Sequence, residues 1–472
     1  MTDTLDIETE PLALDPDRLF PEGKASRAVA RELYGEVADA PIVSPHGHVD
    51  PNMLLDDEPF RDAFDLFIRY DHYVTRLLHA SGVPYGEIYG EKADPRAAWR
   101  TFCAHWDAYQ ATASGYWLRH ELGELFGATE EPSAASADRL FDLIQRRLAE
   151  PDFRPRALFN RFRIDTLATT DDPLDDLAAH VELKTSGALH GRVIPTFRPD
   201  AYMDPTKPGY AERVEALTAT VAGAADDYAA YLEAFRARRA FFIDRGAVSA
   251  DHGVETMATL DLDPDDAAAL FRRTVAGEAS EAESRAFTAH MLTQMAGMSV
   301  DDGLVMTVHP GVLRNHDEGA FRAYGADTGH DIPIAAEYTR NLRPLLARHG
   351  NAAGFHLVLF TIDETSFSRE IAPLAGYYPS VFVGAPWWFL DAPDAVQRFR
   401  AASTETAGLT KGSGFIDDTR AFLSIPARHD MARRTDAAYL ARLVGEGRMP
   451  LIAARRMIVR MTEQQPREVF KL

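Results

Sequence analysis

The sequence predicts an α/β chain wound as a (β/α)8 TIM barrel, and three observations carry that reading. Eight short strand-like runs recur along the 472 residues, helical stretches separate them, and each run ends in a polar or Gly/Pro-containing segment. The runs are 41–45, 164–170, 192–197, 247–250, 304–308, 356–362, 380–384 and 414–417. Several carry unusual strings just past the run: His46-Gly47-His48, Asp251-His252-Gly253, His309-Pro310-Gly311, Pro386-Trp387-Trp388 and Asp418-Thr419-Arg420 among them. A (β/α)8 barrel places its chemistry at these C-terminal strand ends.

Residues 1–40 form an extension ahead of the first strand. Between the first two strands, a helical insertion at about 52–160 is expected to lean over the barrel mouth. Within it Leu66, Phe67, Tyr70, Val74, Leu77 and Leu78 fall at i, i+3, i+4 spacing and predict one helix, stopping near Gly82-Val83-Pro84. A second insertion, at about 255–300, is acidic and Ala-rich, with helical pattern at 264–272 and 281–298. The barrel is expected to run from 41 to 430. Residues 431–472 read as helices packing on its outside.

Composition is that of a globular protein: 46% hydrophobic and 26% charged, with no repeat. No apolar stretch approaches membrane-spanning length, and the start is acidic, without the basic and apolar regions of a signal peptide. A cytoplasmic protein is expected. Cys103 is the single cysteine, so an intrachain disulfide and a Cys-based zinc site are excluded; a metal must be held by His and carboxylate. A net charge of -22 disfavours nucleic acid and anionic membrane as partners, leaving a small-molecule substrate as the expected one; a homo-oligomer is a separate expectation that the charge does not decide. The basic residues are nearly all Arg; acid-rich, Lys-poor usage fits a salt-adapted organism or a high-GC genome.

In an extended strand end, residues i and i+2 share a face, so His46 and His48 can offer two imidazoles to one ion. On the barrel reading, His309 after the fifth strand and Asp418 after the eighth join them. Three imidazoles and a carboxylate suit Zn²⁺ or Mn²⁺ with an open position for substrate. The bland alternatives are a buried, hydrogen-bonded His309 and a helix N-cap at Asp418, a role that Asp417 can fill instead.

These strings, taken with Asp71-His72-Tyr73, Thr169-Thr170-Asp171-Asp172-Pro173, Thr196-Phe197-Arg198-Pro199-Asp200, Leu313-Arg314-Asn315 and Gly325-Ala326-Asp327-Thr328-Gly329, resemble the uronate isomerase (glucuronate isomerase) family of the amidohydrolase superfamily. The resemblance runs nearly end to end. It implies isomerisation of an aldose uronate to its ketose form, D-glucuronate to D-fructuronate or D-galacturonate to D-tagaturonate, by moving a proton between C2 and C1. It also implies one divalent metal, Zn²⁺ first and Mn²⁺ or another divalent ion next, on His46, His48, His309 and Asp418.

Such chemistry needs an anion clamp, carbonyl polarisation and a base. Arg198 and Arg420 are the clamp candidates, since guanidinium forks match carboxylates. Tyr73 beside His72 is the nominee for proton transfer, with Asp418 as the competing base. His72 also falls among the substrate contacts. Trp387 or Trp388 is placed against the apolar face of the sugar, and His252 orients substrate or a ligand. Many family members carry Asp-x-His-x-His at the first strand; here Ser44 stands at the Asp position and Gly47 replaces a bulkier residue. Two rival functions are a metal-dependent hydrolase of the same superfamily and a non-catalytic sugar-acid-binding relative. Binuclear members of the first kind usually need a bridging carboxylated Lys from the fourth strand and a His after the sixth, where this chain has Asp251-His252 and Asp363-Glu364.

Overall fold

The computed structural model describes residues 11–90 and 93–472; the acidic start of the chain lies outside the described residues. Seven of the eight predicted runs form parallel strands: β1 (Ile42–Ser44), β2 (Ile164–Ala168), β3 (Arg192–Ile194), β4 (Ser249–His252), β5 (Val305–Val308), β8 (Leu357–Leu359) and β9 (Val381–Val383). A small antiparallel ribbon, β6 (Val312–Leu313) with β7 (Ile332–Pro333), follows β5. The strands fall into two sheets, β1-β2-β3 and β4-β5-β8-β9.

Single links join the sheets. On one side Phe197 bridges Ala250, and the Asp251 N–H donates to the Phe197 carbonyl at 2.9 Å. On the other side Val383 bridges Gly412, and the His48 N–H donates to the Thr419 carbonyl at 3.0 Å. The eighth predicted strand, 414–417, is therefore extended chain and no regular strand. Its glycines give the reason: Gly414 has φ 81, and a Cβ there would meet Pro466 Cδ at 2.7 Å.

Strand alternation sorts the core. Met306, Val308, Leu357 and Leu359 pack outward beneath the helical layer. Val305, Val358, Phe360 and Ile416 face inward and form the barrel interior together with Val469 and Phe470. The C-terminal segment thus plugs the barrel, and its helices do not simply coat the exterior. Helix Ile425–Gly445 crosses residue 430 and buries Arg428, His429, Arg433, Arg434 and Asp436 along with its apolar residues. It packs against the N-terminal helix Lys24–Gly35 through Ala30, Leu33, Leu440 and Leu443.

The first insertion builds its own core from Trp99, Phe102, Tyr109, Phe126 and Phe153, continuous with Ile42, Ile164 and Leu167 of β1 and β2. The single helix predicted across residues 66–78 is two. A π-turn at Asp65–Arg69 ends before Tyr70, and helix His72–Ala80 starts anew. Asp71 causes the break: its carboxylate accepts the Tyr73 N–H at 2.9 Å, making it an N-cap. In the second insertion, helices Pro264–Val275 and Glu281–Asp302 form; the latter opens on a Ser280/Glu283 capping box. No helix among the described residues is long and apolar enough to cross a membrane.

Candidate active site

Three strand ends, of β1, β4 and β5, and the extended segment that ends at Asp418 deliver titratable side chains to one point. His46 Nε2 and His48 Nε2 lie 3.3 and 3.1 Å from Asp418 Oδ1, and His309 Nε2 lies 4.0 Å from Asp418 Oδ2. The rings of His46 and His309 stack with centroids 4.8 Å apart. Asp251 adds a second carboxylate. Its Oδ1 accepts from His309 Nδ1 at 2.6 Å and from the Thr307 hydroxyl at 2.7 Å, while Oδ2 stands 4.0 Å from His46 Nε2.

Local structure holds these groups. The Thr170 hydroxyl donates to the Gly47 carbonyl at 2.8 Å, between the two histidines, and Asp50 then caps helix Pro51–Asp56. Asp418 sits at φ 41, the left-handed region that few non-glycine residues enter. Neither Asp417 nor Asp418 is an N-cap. Asp417 accepts from His429 Nε2 at 3.0 Å, and Asp418 turns into the barrel mouth.

Burial opposes charge on these groups, but their mutual attraction wins for most of them. Burial works against a protonated His46, yet Asp251 and Asp418 together hold its pKa above the ordinary value. For His48 burial prevails and the pKa falls. Asp251 and Asp418 are both held well below the carboxylate range despite burial, Asp251 by His309, His46 and Arg198 and Asp418 by His46 and His48. His309 Nε2 is buried without a hydrogen-bond partner, Asp418 Oδ1 faces only the His46 and His48 Nε2 atoms, and Asp251 Oδ2 only the Arg198 guanidinium at 3.2 Å and His46 Nε2. Ligand atoms of His46, His48 and Asp418, and of His46, Asp251 and His309, each lie within 4.8 Å of one another. Unsatisfied, converging nitrogen and carboxylate oxygen atoms fit a divalent cation.

The cluster opens onto a narrow cleft lined by His48, His72, Tyr73, Trp387, Trp388, Asp418 and Arg420, with Arg314 and Asp327. His72 and Tyr73 both reach it because the helix begins at His72; their rings stack 4.8 Å apart. Trp388 lies 5.1 Å from His72 and also adopts a positive φ, 51°. Burial, then the nearby Arg420, lowers the His72 pKa to about 3. Burial drives the Tyr73 hydroxyl the other way, well above its usual pKa. Behind Tyr73 the Arg428 guanidinium packs 3.5 Å from the Trp117 ring centre and bonds Asp391 at 2.6 Å.

Two predicted residues stand apart. Arg198 does not line the cleft with Arg420; it bonds Asp200 at 2.8 Å and pairs with Asp251 at 3.2 Å. His252 is within β4, where alternation turns it away from Asp251, and its Nδ1 meets the Thr307 carbonyl at 3.0 Å. Three residues without an assigned role in the sequence take their place. Asp251 joins the cluster, and Arg420 bonds Asp327 at 3.2 Å while Arg314 lies 3.8 Å from the same carboxylate. Asp327 and Arg314 lie in the Gly325–Gly329 and Leu313–Asn315 strings, whose unusual composition was the available signal.

Comparison with known proteins bears on this arrangement. The glucuronate isomerase family model matches residues 24–467. The uronate isomerase of Corynebacterium efficiens is 50% identical over 464 residues, covering 98% of this chain and 99% of that protein. That of Phenylobacterium zucineum is 48% identical, covering 98% of each. Among solved structures, the glucuronate isomerase from Caulobacter crescentus superposes with a TM-score of 0.95 at 47% identity, covering 98% of both chains. The uronate isomerase from Thermotoga maritima gives 0.91 at 26% identity, covering 97% of this chain and 99% of that one. With identity near one half from end to end, and a fold shared over nearly every residue, the chain belongs to the glucuronate isomerase family.

Proposed function

We propose that the chain interconverts a hexuronate between its aldose and ketose forms, D-glucuronate with D-fructuronate or D-galacturonate with D-tagaturonate. One observation carries the reading: the His/Asp cluster opens directly onto a cleft that also holds Arg420, Arg314, His72 and Tyr73. His46, His48, His309 and Asp418 would hold one divalent ion, Zn²⁺ before Mn²⁺, since three imidazoles and a carboxylate suit Zn²⁺. When bound, the ion supplies positive charge that polarises a substrate oxygen.

The remaining work falls to the chain. Arg420, with Arg314 beside it, binds the substrate carboxylate, which displaces Asp327 from Arg420 while Arg314 keeps its bond to Asp331 at 2.8 Å. Tyr73 keeps its proton under burial and donates a hydrogen bond to a sugar oxygen. Asp418 serves as the carboxylate that accepts the C2 proton and returns it at C1. His72, neutral and with both ring nitrogens unengaged, orients the hydroxyls. Trp387 and Trp388 wall the apolar face of the sugar. Arg198 is a positioning residue that fixes Asp251, which in turn fixes His309.

Incubating the protein with D-glucuronate and with D-galacturonate in deuterated water, alongside a metal analysis, tests the reading. Ketose formation or solvent deuterium at C2 of recovered aldose is expected. Tight binding without turnover would make it a sugar-acid-binding relative instead.

A further inference from the structure

A second charged cavity lies at the opposite end of the barrel from the cleft. It is open, about 590 Å³, and bordered by the entry to β1 at residues 38–42, the entry to β2 at 161–163, and the face of helix Ile425–Gly445 that carries Asp430, Arg433 and Arg434. Arg18, Arg161, Arg163, Arg433 and Arg434 line it against three acids, Asp39, Glu124 and Asp430. That excess of cations stands in a chain of net charge -22.

The pairings leave charge over. Asp430 is saturated: it accepts from Arg18 at 2.7 Å, Arg434 at 2.8 Å, Tyr34 at 2.6 Å and Tyr116 at 3.1 Å. Asp39 is 4.0 Å from Arg163, with a side chain 99% exposed, so it neutralises little. Arg161 rests 5.7 Å from the Phe153 ring centre, and no ion pair involves it among the described residues. Arg433 is the deep anchor. It is only 8% exposed, and its two terminal nitrogens donate to the carbonyls of Ala38, Ala40 and Pro41. Its buried Nε–H has no acceptor, and no carboxylate bonds it among the described residues. Burial lowers the Arg433 pKa in spite of the more distant Asp430 and Glu463, so a guanidinium hydrogen-bonded to carbonyl groups alone gains from an anion beside it.

We propose that this basal cavity is a binding site for a small oxyanion of the phosphate class, with Arg433 at its floor and Arg161 and Arg163 at its mouth. Guanidinium groups are the side chains that match phosphate oxygens bidentately. Exposed Arg161 and Arg163 at the opening, above the buried charge of Arg433, give such an ion charge-assisted bonds that a monovalent halide cannot reproduce. The site is independent of the hexuronate reading, since it shares no residue with the cleft.

Titration calorimetry and thermal melts with inorganic phosphate, glycerol phosphate and potassium chloride at matched ionic strength test it. Saturable binding of phosphate, absent with chloride, is expected, and the Arg161→Ala/Arg163→Ala variant should bind at least tenfold more weakly with hexuronate turnover unchanged. Glycerol phosphate binding as tightly as phosphate would make the ligand an organic monoester; weaker binding would make it the free ion. Because Arg420 in the cleft is another anion-binding arginine, Arg420→Met must keep its phosphate affinity. Loss of phosphate binding in Arg420→Met, an unchanged affinity in the Arg161/Arg163 variant, or no saturation beyond chloride would overturn the proposal.

Discussion

Asp251 and His309 are tied by a 2.6 Å hydrogen bond between the ends of adjacent strands β4 and β5, and that bond leaves His309 Nε2 as the nitrogen facing Asp418. A carboxylate on the far nitrogen of a metal-facing imidazole fixes both tautomer and ring orientation. Asp251→Asn should therefore lower metal affinity by roughly 10- to 100-fold. Metal content after dialysis against a graded chelator reads this. Full retention of metal at wild-type chelator concentrations would remove Asp251 from that role.

Arg420→Met should reduce kcat/KM by at least about a hundredfold, because it deletes a charge-assisted contact to the substrate carboxylate. Metal content should be unchanged. Wild-type-like kinetics would take Arg420 out of the site.

Arg428 and Asp391 form a pair that is 1% and 2% exposed, and burial already lifts the Asp391 pKa to about 7. Removing the cation strands the acid. Arg428→Met should cost about 3–5 kcal/mol, seen as a marked fall in Tm, with part of the loss restored by adding Asp391→Asn. An unshifted Tm would contradict the account.

The pH dependence of stability has a definite sign at His72. Its folded pKa is lowered to about 3, against about 6.5 for an unfolded histidine. As pH falls below about 6.5, the unfolded chain takes up a proton that the fold refuses, so the fold loses stability progressively down to about pH 3. His72→Gln lacks this penalty. Its Tm should fall less steeply than the wild type between these limits; parallel curves would show that His72 is not held neutral.

Ser44 is fully buried, and its hydroxyl has no partner. Ser44→Ala should be neutral or stabilising by up to about 1 kcal/mol, since an unsatisfied buried group is removed. Turnover within about twofold of wild type is expected. A loss beyond tenfold would place Ser44 in the reaction.

Much of this site is legible in the sequence because barrel geometry converts scattered strand ends into neighbours. His46, His48, His309 and Asp418 need only that conversion to meet. Asp251 and His252 show where it stops: the sequence places both past the strand, whereas β4 runs through them, and a one-residue difference in register decides which side chain faces inward. Arg198 follows the third strand as expected, but its choice of partner depends on Asp200 and Asp251 coming together in space. Arg314 and Asp327 sit in a non-periodic excursion between β5 and β8, where hydrophobic patterning carries no signal. The helix break at Asp71 was written in the capping residue, yet the apolar period on both sides masked it.

Val469 and Phe470 pack among Val305, Val358 and Ile416 inside the barrel. During synthesis, the strands therefore emerge from the ribosome well before the residues that fill the space between them. The nascent chain must keep a partly hollow, apolar barrel waiting until residues 465–470 are made. The interval before those residues join the interior is when this chain is most open to aggregation and to chaperone capture.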